Sequence, residues 1–463
     1  MQNRPCALRA RMRQETQREG RVTSTQTAGL QTAAHETIDI ATHRRRVVIS
    51  GVIGTSIEWF DFLLYGLVAP AVFDRLFFPK LDPVAGTIAV LGVFAVGWMA
   101  RPLGGVVFGH FGDRIGRKSI LFITLALMGG STTLMGLLPT YETIGIAAPL
   151  LLVVLRFLQG FALGGEVVGA VVLAMESAPD GKRGGFTALI QVGAAIGSLM
   201  AALAARLIAQ LPQEAMLSWG WRIPFLLSFV LVLVGIYVRL KIAESPVFSA
   251  AVSARAPEKF PLITMLKQEP KPALIVFLTT ITESGMLQIF TVFALAFSIQ
   301  TLGIDRAILL NGIFLGNIAG IVMNPFFGWL SDYTGRRPLI AGSLVLAMLY
   351  VSFVFFPLLQ TKDPTLVTLA IAIPPAFIQT MIFAVEGSWY AELFRDSRVR
   401  FSGVGFARQM GSLVGGFFPL IAFSLYASTG SVWGPAGYYL FTSVISLAAV
   451  LAGRETRLEK LQR

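Results

Sequence analysis

Cysteine is almost missing from this chain of 463 residues: Cys6 stands alone, so neither a disulfide framework nor a thiolate metal site can be assembled. Three histidines, His35, His43 and His110, provide no imidazole cluster for a metal centre. Charge is scarce too, at 14% of residues against 54% hydrophobic, with a mean hydropathy of +0.69. A soluble domain needs a charged shell that this composition cannot supply, so lipid must solvate most of the surface. The first 46 residues lack any apolar run, are rich in Arg, Thr and Gln, and are expected to stay disordered because they cannot bury enough surface to fold. The same lack excludes a secretory signal ahead of residue 47, while an Arg-rich targeting peptide or lipid-surface anchor stays open.

The apolar residues that are present come in blocks. A membrane-spanning helix needs about 20 of them in a row. Twelve stretches qualify, at about 47–73, 84–108, 119–138, 146–175, 185–209, 220–240, 272–300, 306–330, 338–358, 365–390, 401–427 and 434–452. The polar segment 241–271, with Pro246, Pro257, Pro261 and Pro270, is the longest interior connection. It divides a six-helix bundle over 47–240 from a second over 272–452, and a polar tail follows over 453–463. The fold expected is an all-α membrane protein of twelve transmembrane helices in two pseudo-symmetric six-helix bundles.

Lys and Arg gather in alternate loops, at Arg114, Arg117 and Lys118, at Lys182 and Arg183, over 239–271, at Arg336 and Arg337, and at Arg395, Arg398 and Arg400. The intervening loops hold only Arg75, Lys80, Arg306 and Lys362. By the positive-inside rule both termini are cytoplasmic. This distribution accounts for the net charge of +12 without a nucleic-acid partner, which would call for a basic stripe on a soluble domain.

The two halves repeat. Gly109-His-Phe-Gly-Asp113-Arg-Ile-Gly116-Arg117-Lys118 recurs as Gly328-Trp-Leu-Ser-Asp332-Tyr-Thr-Gly335-Arg336-Arg337, 219 positions on. Gln191-Val-Gly193-Ala-Ala-Ile-Gly197 recurs as Gln409-Met-Gly411-Ser-Leu-Val-Gly415, 218 positions on. Glu166 is echoed by Glu386, and Glu176 with Arg183 by Glu392 with Arg400. Several echoes in order at nearly one spacing indicate a duplicated six-helix unit.

The loop pattern G-x-x-x-D-x-x-G-R-[KR], present in both halves, resembles the major facilitator signature. More narrowly, Gly54-Thr-Ser-Ile-Glu58-Trp59-Phe-Asp61-Phe-Leu-Leu-Tyr65-Gly66, Arg101-Pro102-Leu-Gly104-Gly105, Arg156-Phe-Leu-Gln159-Gly160 with Gly164-Gly165-Glu166, and Glu244-Ser-Pro246-Val-Phe248 resemble the metabolite:proton symporter family. The resemblance runs from residue 47 to about 452. It implies proton-coupled uptake of a small metabolite, relatives handling citrate, 2-oxoglutarate and other dicarboxylates, shikimate, or proline and betaine. Glu283, Glu386 and Arg408 match no motif of that family and leave the substrate open.

A charged side chain at bilayer depth is costly, so each one within a span is a functional candidate. Glu58, Asp61 and Tyr65 fall at i, i+3 and i+7 of the first span, a stripe expected to face a water-accessible cavity. Arg156, Gln159 and Glu166 fall at i, i+3 and i+10 of the fourth. Desolvation disfavours an isolated carboxylate, and a guanidinium nearby favours it. Asp61 with Arg156 therefore reads as a proton switch released when an anionic substrate takes the arginine, or else as a static ion pair holding two helices. Glu58 and Glu166 are proton-relay candidates, or bonds to neighbouring helices.

Gln159 and Gln191 are candidates to orient a substrate or to bridge helices. Glu283, Glu386 and Arg408 are candidates to complete the cavity from the second half, Arg408 either as a forked contact for a carboxylate or as a side chain snorkelling to the interface. Trp59, Tyr65, Trp389 and Tyr390 either line the pocket or mark the membrane interface. The loop residues Asp113, Arg117, Glu176, Arg183, Asp332, Arg336, Glu392 and Arg400 read as gates across the cytoplasmic mouth, or as charges that fix topology only.

No Ser-His-Asp set, metal cluster or phosphate-cradling loop is apparent, so neither an enzyme nor a cofactor is expected. The expected partners are protons, a small carboxylate or zwitterion, and the lipid of a bacterial inner membrane, around a monomer. Proton-coupled export, uncoupled uniport and a transport-like sensor are the alternatives to symport.

Overall fold

Lipid offers no hydrogen-bond partners, so each apolar block must satisfy its backbone within itself, as a helix. The computed structural model describes residues 45, 48–70, 72–115, 117–164, 175, 178, 181–242 and 261–459, and of 109–121, 238–242, 261–264, 397–398 and 401 the backbone alone. The spanning helices are α1 (Val48–Pro70), α2 (Pro83–Ile115), α3 (Arg117–Leu137), α4 (Ala147–Gly164), α5 (Arg183–Ala209) and α6 (Arg222–Ile242). They continue as α7 (Pro270–Leu302), α8 (Arg306–Thr334), α9 (Arg336–Gln360), α10 (Pro364–Leu393), α11 (Ser402–Thr429) and α12 (Trp433–Ala452). Eleven are long and apolar enough to cross a membrane, and the described apolar part of α3, Phe122–Leu137, is shorter. The twelve follow the blocks expected from hydropathy, and the all-α architecture expected from the sequence is the one observed.

Small residues set which helices touch, because they let backbones approach closely. In the first half α5 lies on α1, where a Cβ at Gly193 or Gly197 would run into the carbonyls of Val52 and Ser56. In the second half α11 lies on α7 in the same way: a Cβ at Gly411 would stand 2.5 Å from the Phe277 carbonyl, and one at Gly415 2.6 Å from that of Ile281. The repeated Gln-x-Gly-x-x-x-Gly segments thus do the same packing work twice. The halves meet chiefly where α5 packs on α8 and where α2 packs on α11, with Gly416 against Trp98.

Outward-facing positions carry large apolar side chains, among them Leu134 on α3, Phe229 on α6, Phe353 on α9 and Phe441 on α12, each more than half exposed. Such a surface is stable only against acyl chains. Inside, α10 departs from regular winding at Pro374–Ile378, a π-helical turn. Two consecutive prolines there remove backbone donors, and the Thr380 hydroxyl takes up the carbonyl of Pro375. That widened turn borders the interior cavity described next.

Candidate functional site

Asp61 on α1 is fully buried and points between α3 and α6. Its Oδ1 accepts a hydrogen bond from the Ser228 hydroxyl, while Oδ2 is buried without a partner, 3.4 Å from where a Cβ on Gly129 would stand. Arg156 on α4 is fully buried as well. Its Nη1 donates to Gln159 Oε1 and, at 3.4 Å, to the Phe62 carbonyl; Nε and Nη2 have no partner. Aromatic faces replace an anion around it: the guanidinium carbon lies 4.3 Å from the ring centre of Phe62, 4.6 Å from that of Tyr65 and 4.8 Å from that of Phe94.

Asp61 and Arg156 therefore do not form the ion pair that their charges suggested. Gln159 stands between them. Its Nε2 donates to the Asp61 carbonyl at 3.0 Å and to Thr132 Oγ1 at 2.7 Å, while its Oε1 holds Arg156. Tyr65 is bound to the Val90 carbonyl at 3.3 Å, inside the same half.

A second charged group joins the halves. Arg408 on α11 is turned inward and paired with Glu386 Oε1 on α10, rather than lying at a helix end; Glu386 Oε2 is buried without a partner. Glu283 on α7 accepts from the Ser284 hydroxyl at 3.2 Å. Tyr390 accepts at 3.3 Å from Thr280, beside both glutamates. From the first half Glu58 and Arg101 lie within electrostatic reach of this group, Glu58 of both arginines and Arg101 of Glu283. Arg101 stacks 4.1 Å from the centre of the Phe62 ring that also holds Arg156, so one aromatic side chain touches both charged groups.

The interior cavity, about 40 Å³, opens between α1, α5, α7, α8 and α10. The face of α1 that it uses is Trp59, Leu63 and Leu67, not the stripe of Glu58, Asp61 and Tyr65. At about 100° per residue the two stripes point in different directions. The stripe of Glu58, Asp61 and Tyr65, expected to face a water-accessible cavity, is turned instead toward neighbouring helices, Asp61 to Ser228 on α6 and Tyr65 to Val90 on α2. Gln191 sits beside the cavity, donating to the Phe383 carbonyl at 3.3 Å across the halves, and the Phe383 ring meets Trp59 edge-on at 5.3 Å. Trp389 is not among the lining residues and donates to the Arg454 carbonyl at 3.1 Å.

At the end bearing the repeated loop signature, the halves are latched. The carboxylate of Asp332 accepts from the backbone N–H groups of Gly184 (2.9 Å) and Gly185 (3.0 Å), a bond from α8 to the first turn of α5, where free amides and the helix dipole favour an anion. Arg336 holds Asp332 at 2.7 Å and Glu392 at 3.5 Å, and Arg183 approaches Glu392 at 3.7 Å. The C-terminal segment closes over them. Glu455 caps α9 through the N–H groups of Arg336 and Arg337, Thr456 donates to Glu392, and Arg183 donates to the Glu459 carbonyl. Arg400 is buried beside the latch and donates to the carbonyls of Phe394 and Arg395. The side chains of Asp113 and Arg117, and residues Glu166 and Glu176, lie outside the described residues. At the opposite end Gln300 reaches Asp74 at 3.3 Å and Arg306 the Ala209 carbonyl at 3.4 Å.

Removing one partner from a buried ion-pair network costs about 3–5 kcal/mol, because the remaining charges lose their compensation. Arg336→Ala should therefore spring the latch. In a Cys6→Ser background with Ala195→Cys at the cavity wall, thiol modification is expected to run at least about tenfold faster when Arg336→Ala is added. An unchanged rate would show that these contacts do not hold the mouth closed.

Hydropathy and charge could not point to Ser228, Thr132, Asn317, Asn324 or Gln379, which are neutral and of common types. Arg101 carried a signal, since it is a charge within a span, but entered only as part of a motif.

Twelve apolar helices surrounding buried charges, with bonded contacts between two repeated halves at both ends, define a multi-pass membrane carrier. A family model of the Major Facilitator Superfamily matches residues 51–419, and the chain belongs to that superfamily. It is 39% identical to the shikimate transporter of Escherichia coli (strain K12), over 87% of this chain and 92% of that one. It is 40% identical to an inner membrane metabolite transport protein of the same organism, over 90% and 96% of the two chains. Against the proline/betaine transporter of that organism the identity is 32%, over 89% and 84%. The solved D-xylose-proton symporter superposes with a TM-score of 0.67 at 16% identity, covering 90% of this chain and 99% of that one, a likeness of fold alone. The resemblance to metabolite:proton symporters drawn from the sequence motifs agrees with these relatives, which are transporters rather than enzymes.

Proposed function

We propose that this chain is a secondary transporter that takes up a small organic carboxylate together with protons by alternating access. The observation that carries the reading is the pair of buried, incompletely satisfied charges in the first half: Asp61 with one open carboxyl oxygen, and Arg156 with two open guanidinium nitrogens and no carboxylate beside it. A forked, desolvated guanidinium of this kind suits a planar carboxylate.

Coupling follows from charge balance. Moving net charge through a low-dielectric interior is expensive, so the halves rock readily only when the site is neutral. Two states are neutral: empty with Asp61 ionised against Arg156, and loaded with Asp61 protonated and the substrate carboxylate on Arg156. Empty but protonated carries +1, and loaded but unprotonated carries −1. The charged group around Glu386 and Arg408 is common to all four states and cancels from the comparison. Substrate and proton therefore travel together.

Relatives named for transport of shikimate, proline and betaine all handle molecules with a carboxyl group, which supports the same class here. The placement of Lys and Arg supports cytoplasmic termini in a bacterial inner membrane, so that the latched end is the cytoplasmic gate. The gate residues Asp332, Arg336, Arg183 and Glu392 would then part as the bundles 47–240 and 272–452 rock about the 241–271 connection, with the protein working as a monomer. Purified protein in liposomes, given an inward proton gradient, should accumulate a labelled carboxylate above its external concentration and lose that accumulation with a protonophore. Uptake indifferent to the gradient would count against symport.

A further inference from the structure

Buried polar atoms without a partner are rare in a native interior, and several meeting at one level call for an explanation. Besides Arg156 Nε and Nη2, such atoms include the indole Nε1 of Trp98 on α2 and both amide atoms of Gln288 on α7. Gln288 is fully buried and Trp98 nearly so.

The helices bring these groups into register. At Gly66 on α1 a Cβ would stand 2.8 Å from Val292 Cγ2 on α7 and 3.1 Å from Phe94 Cε2 on α2, so three helices meet there. One turn from that point toward the latched end leads to Phe62 on α1, Trp98 on α2 and Gln288 on α7, each four residues along and so on the same helix face. The rings of Phe62 and Trp98 do meet, edge-on at 4.8 Å. A π-helical turn, Ile289–Phe293, begins directly after Gln288, and such turns recur at functional sites.

Arg156 lies at the same level. Its guanidinium carbon is 4.3 Å from the Phe62 ring centre, and its Nε is 2.7 Å from where a Cβ on Gly97, next to Trp98, would stand. Nε and Nη2, the two open nitrogens, form one edge of the guanidinium, the edge that grips a carboxylate with two parallel hydrogen bonds. A carboxylate accepts about four hydrogen bonds, so this grip leaves it two to fill. Were Trp98 Nε1 bonded to Gln288 Oε1, the two side chains would merely tie helices together; no such bond is formed.

We infer that Trp98 and Gln288 are substrate-binding residues, donating through Nε1 and Nε2 to the carboxylate that Arg156 holds. Arg156 and Trp98 belong to the first half and Gln288 to the second, so the bound anion draws α7 onto α1 and α2 and ties closure of the halves to loading. This rests on the proton-carboxylate reading and adds to it the contact made from the second half.

The test uses the full chain in liposomes under an inward proton gradient, with a labelled hydroxylated ring monocarboxylate, an aliphatic dicarboxylate and a zwitterionic amino acid, the one accumulated fastest serving as the probe. Gln288→Met and Trp98→Phe are each expected to raise the half-maximal concentration at least about tenfold, the effect of losing a hydrogen bond to a charged group. Thermal unfolding of the empty protein separates binding from packing: Gln288→Met replaces a buried, unpaired amide by an apolar chain of similar length, so its midpoint should equal or exceed that of the unaltered chain. A lowered midpoint together with lowered uptake would make Gln288 a packing residue and overturn the inference. Unchanged uptake by both variants, with Arg156→Lys impaired, also overturns it while leaving proton-carboxylate symport standing. Accumulation of none of the three acids by the unaltered chain removes that reading, and the inference with it.

Discussion

Asp61→Asn should abolish proton-driven accumulation while leaving exchange of substrate across the bilayer within a few-fold of the unaltered chain. The amide is isosteric with the protonated carboxyl and can still bond Ser228, so the loaded, neutral state survives. What disappears is the ionised form that balances Arg156 when the site is empty. The empty carrier then holds an uncompensated guanidinium in a fully buried position, and its return across the barrier slows. Exchange never needs that return step, because the carrier is loaded in both directions. Counterflow and net uptake, measured on the same liposome preparation, separate the two. Equal losses in both assays would mean that Asp61 holds the helices together rather than carrying the proton, and full accumulation by the variant would remove it from the coupling. Ser228→Ala serves as a milder companion: it strips the carboxylate of its one hydrogen bond, and should shift the external pH at which accumulation is half-maximal.

The helices were legible in the sequence because lipid imposes a blunt rule on composition. Most apolar blocks became helices within a few residues of their expected limits, as with 272–300 becoming Pro270–Leu302 and 434–452 becoming Trp433–Ala452, while the end expected for the fourth block lies outside the described residues. That α5 and α11 each approach a neighbour closely was legible for a related reason, since small residues spaced by four advertise close approach and the motif occurs twice; that the neighbours are α1 and α7 came from the structure. Side-chain partners were less accessible. Asp61 and Arg156 were found by the cost of burying charge, but that cost says nothing about direction, and Gln159 with Ser228 turned out to take the contacts assigned to an ion pair. Of the cavity lining, Trp59 alone was among the candidates. Asn317, Asn324 and Gln379 are cheap enough in a membrane interior to pass unnoticed, and what distinguishes them, their place on the cavity wall, exists only in three dimensions. The segment that follows α12 looked like a polar tail, yet Glu455 and Thr456 are built into the latch, because a carboxylate that caps a helix N-terminus needs no apolar neighbours.

Arg156→Lys should raise the substrate concentration for half-maximal uptake by at least about tenfold while leaving the dependence on the proton gradient in place. The ammonium preserves the charge that balances Asp61, so the neutral loaded and empty states both remain and coupling persists. The planar fork is lost, and with it one of two parallel hydrogen bonds to a carboxylate, each charge-assisted bond being worth about 1.5–3 kcal/mol. The flat guanidinium also rests against Phe62, Tyr65 and Phe94, and an ammonium cannot stack on three rings at once. Arg156→Met separates charge from shape: with no positive charge the loaded site carries −1, so both net uptake and counterflow should fall to background, unlike the pattern expected for Asp61→Asn. If Arg156→Lys left the half-maximal concentration unchanged, the carboxylate would have to bind elsewhere. Arg408 would then be the next candidate, and breaking its pair with Glu386 by Glu386→Gln would become the decisive comparison.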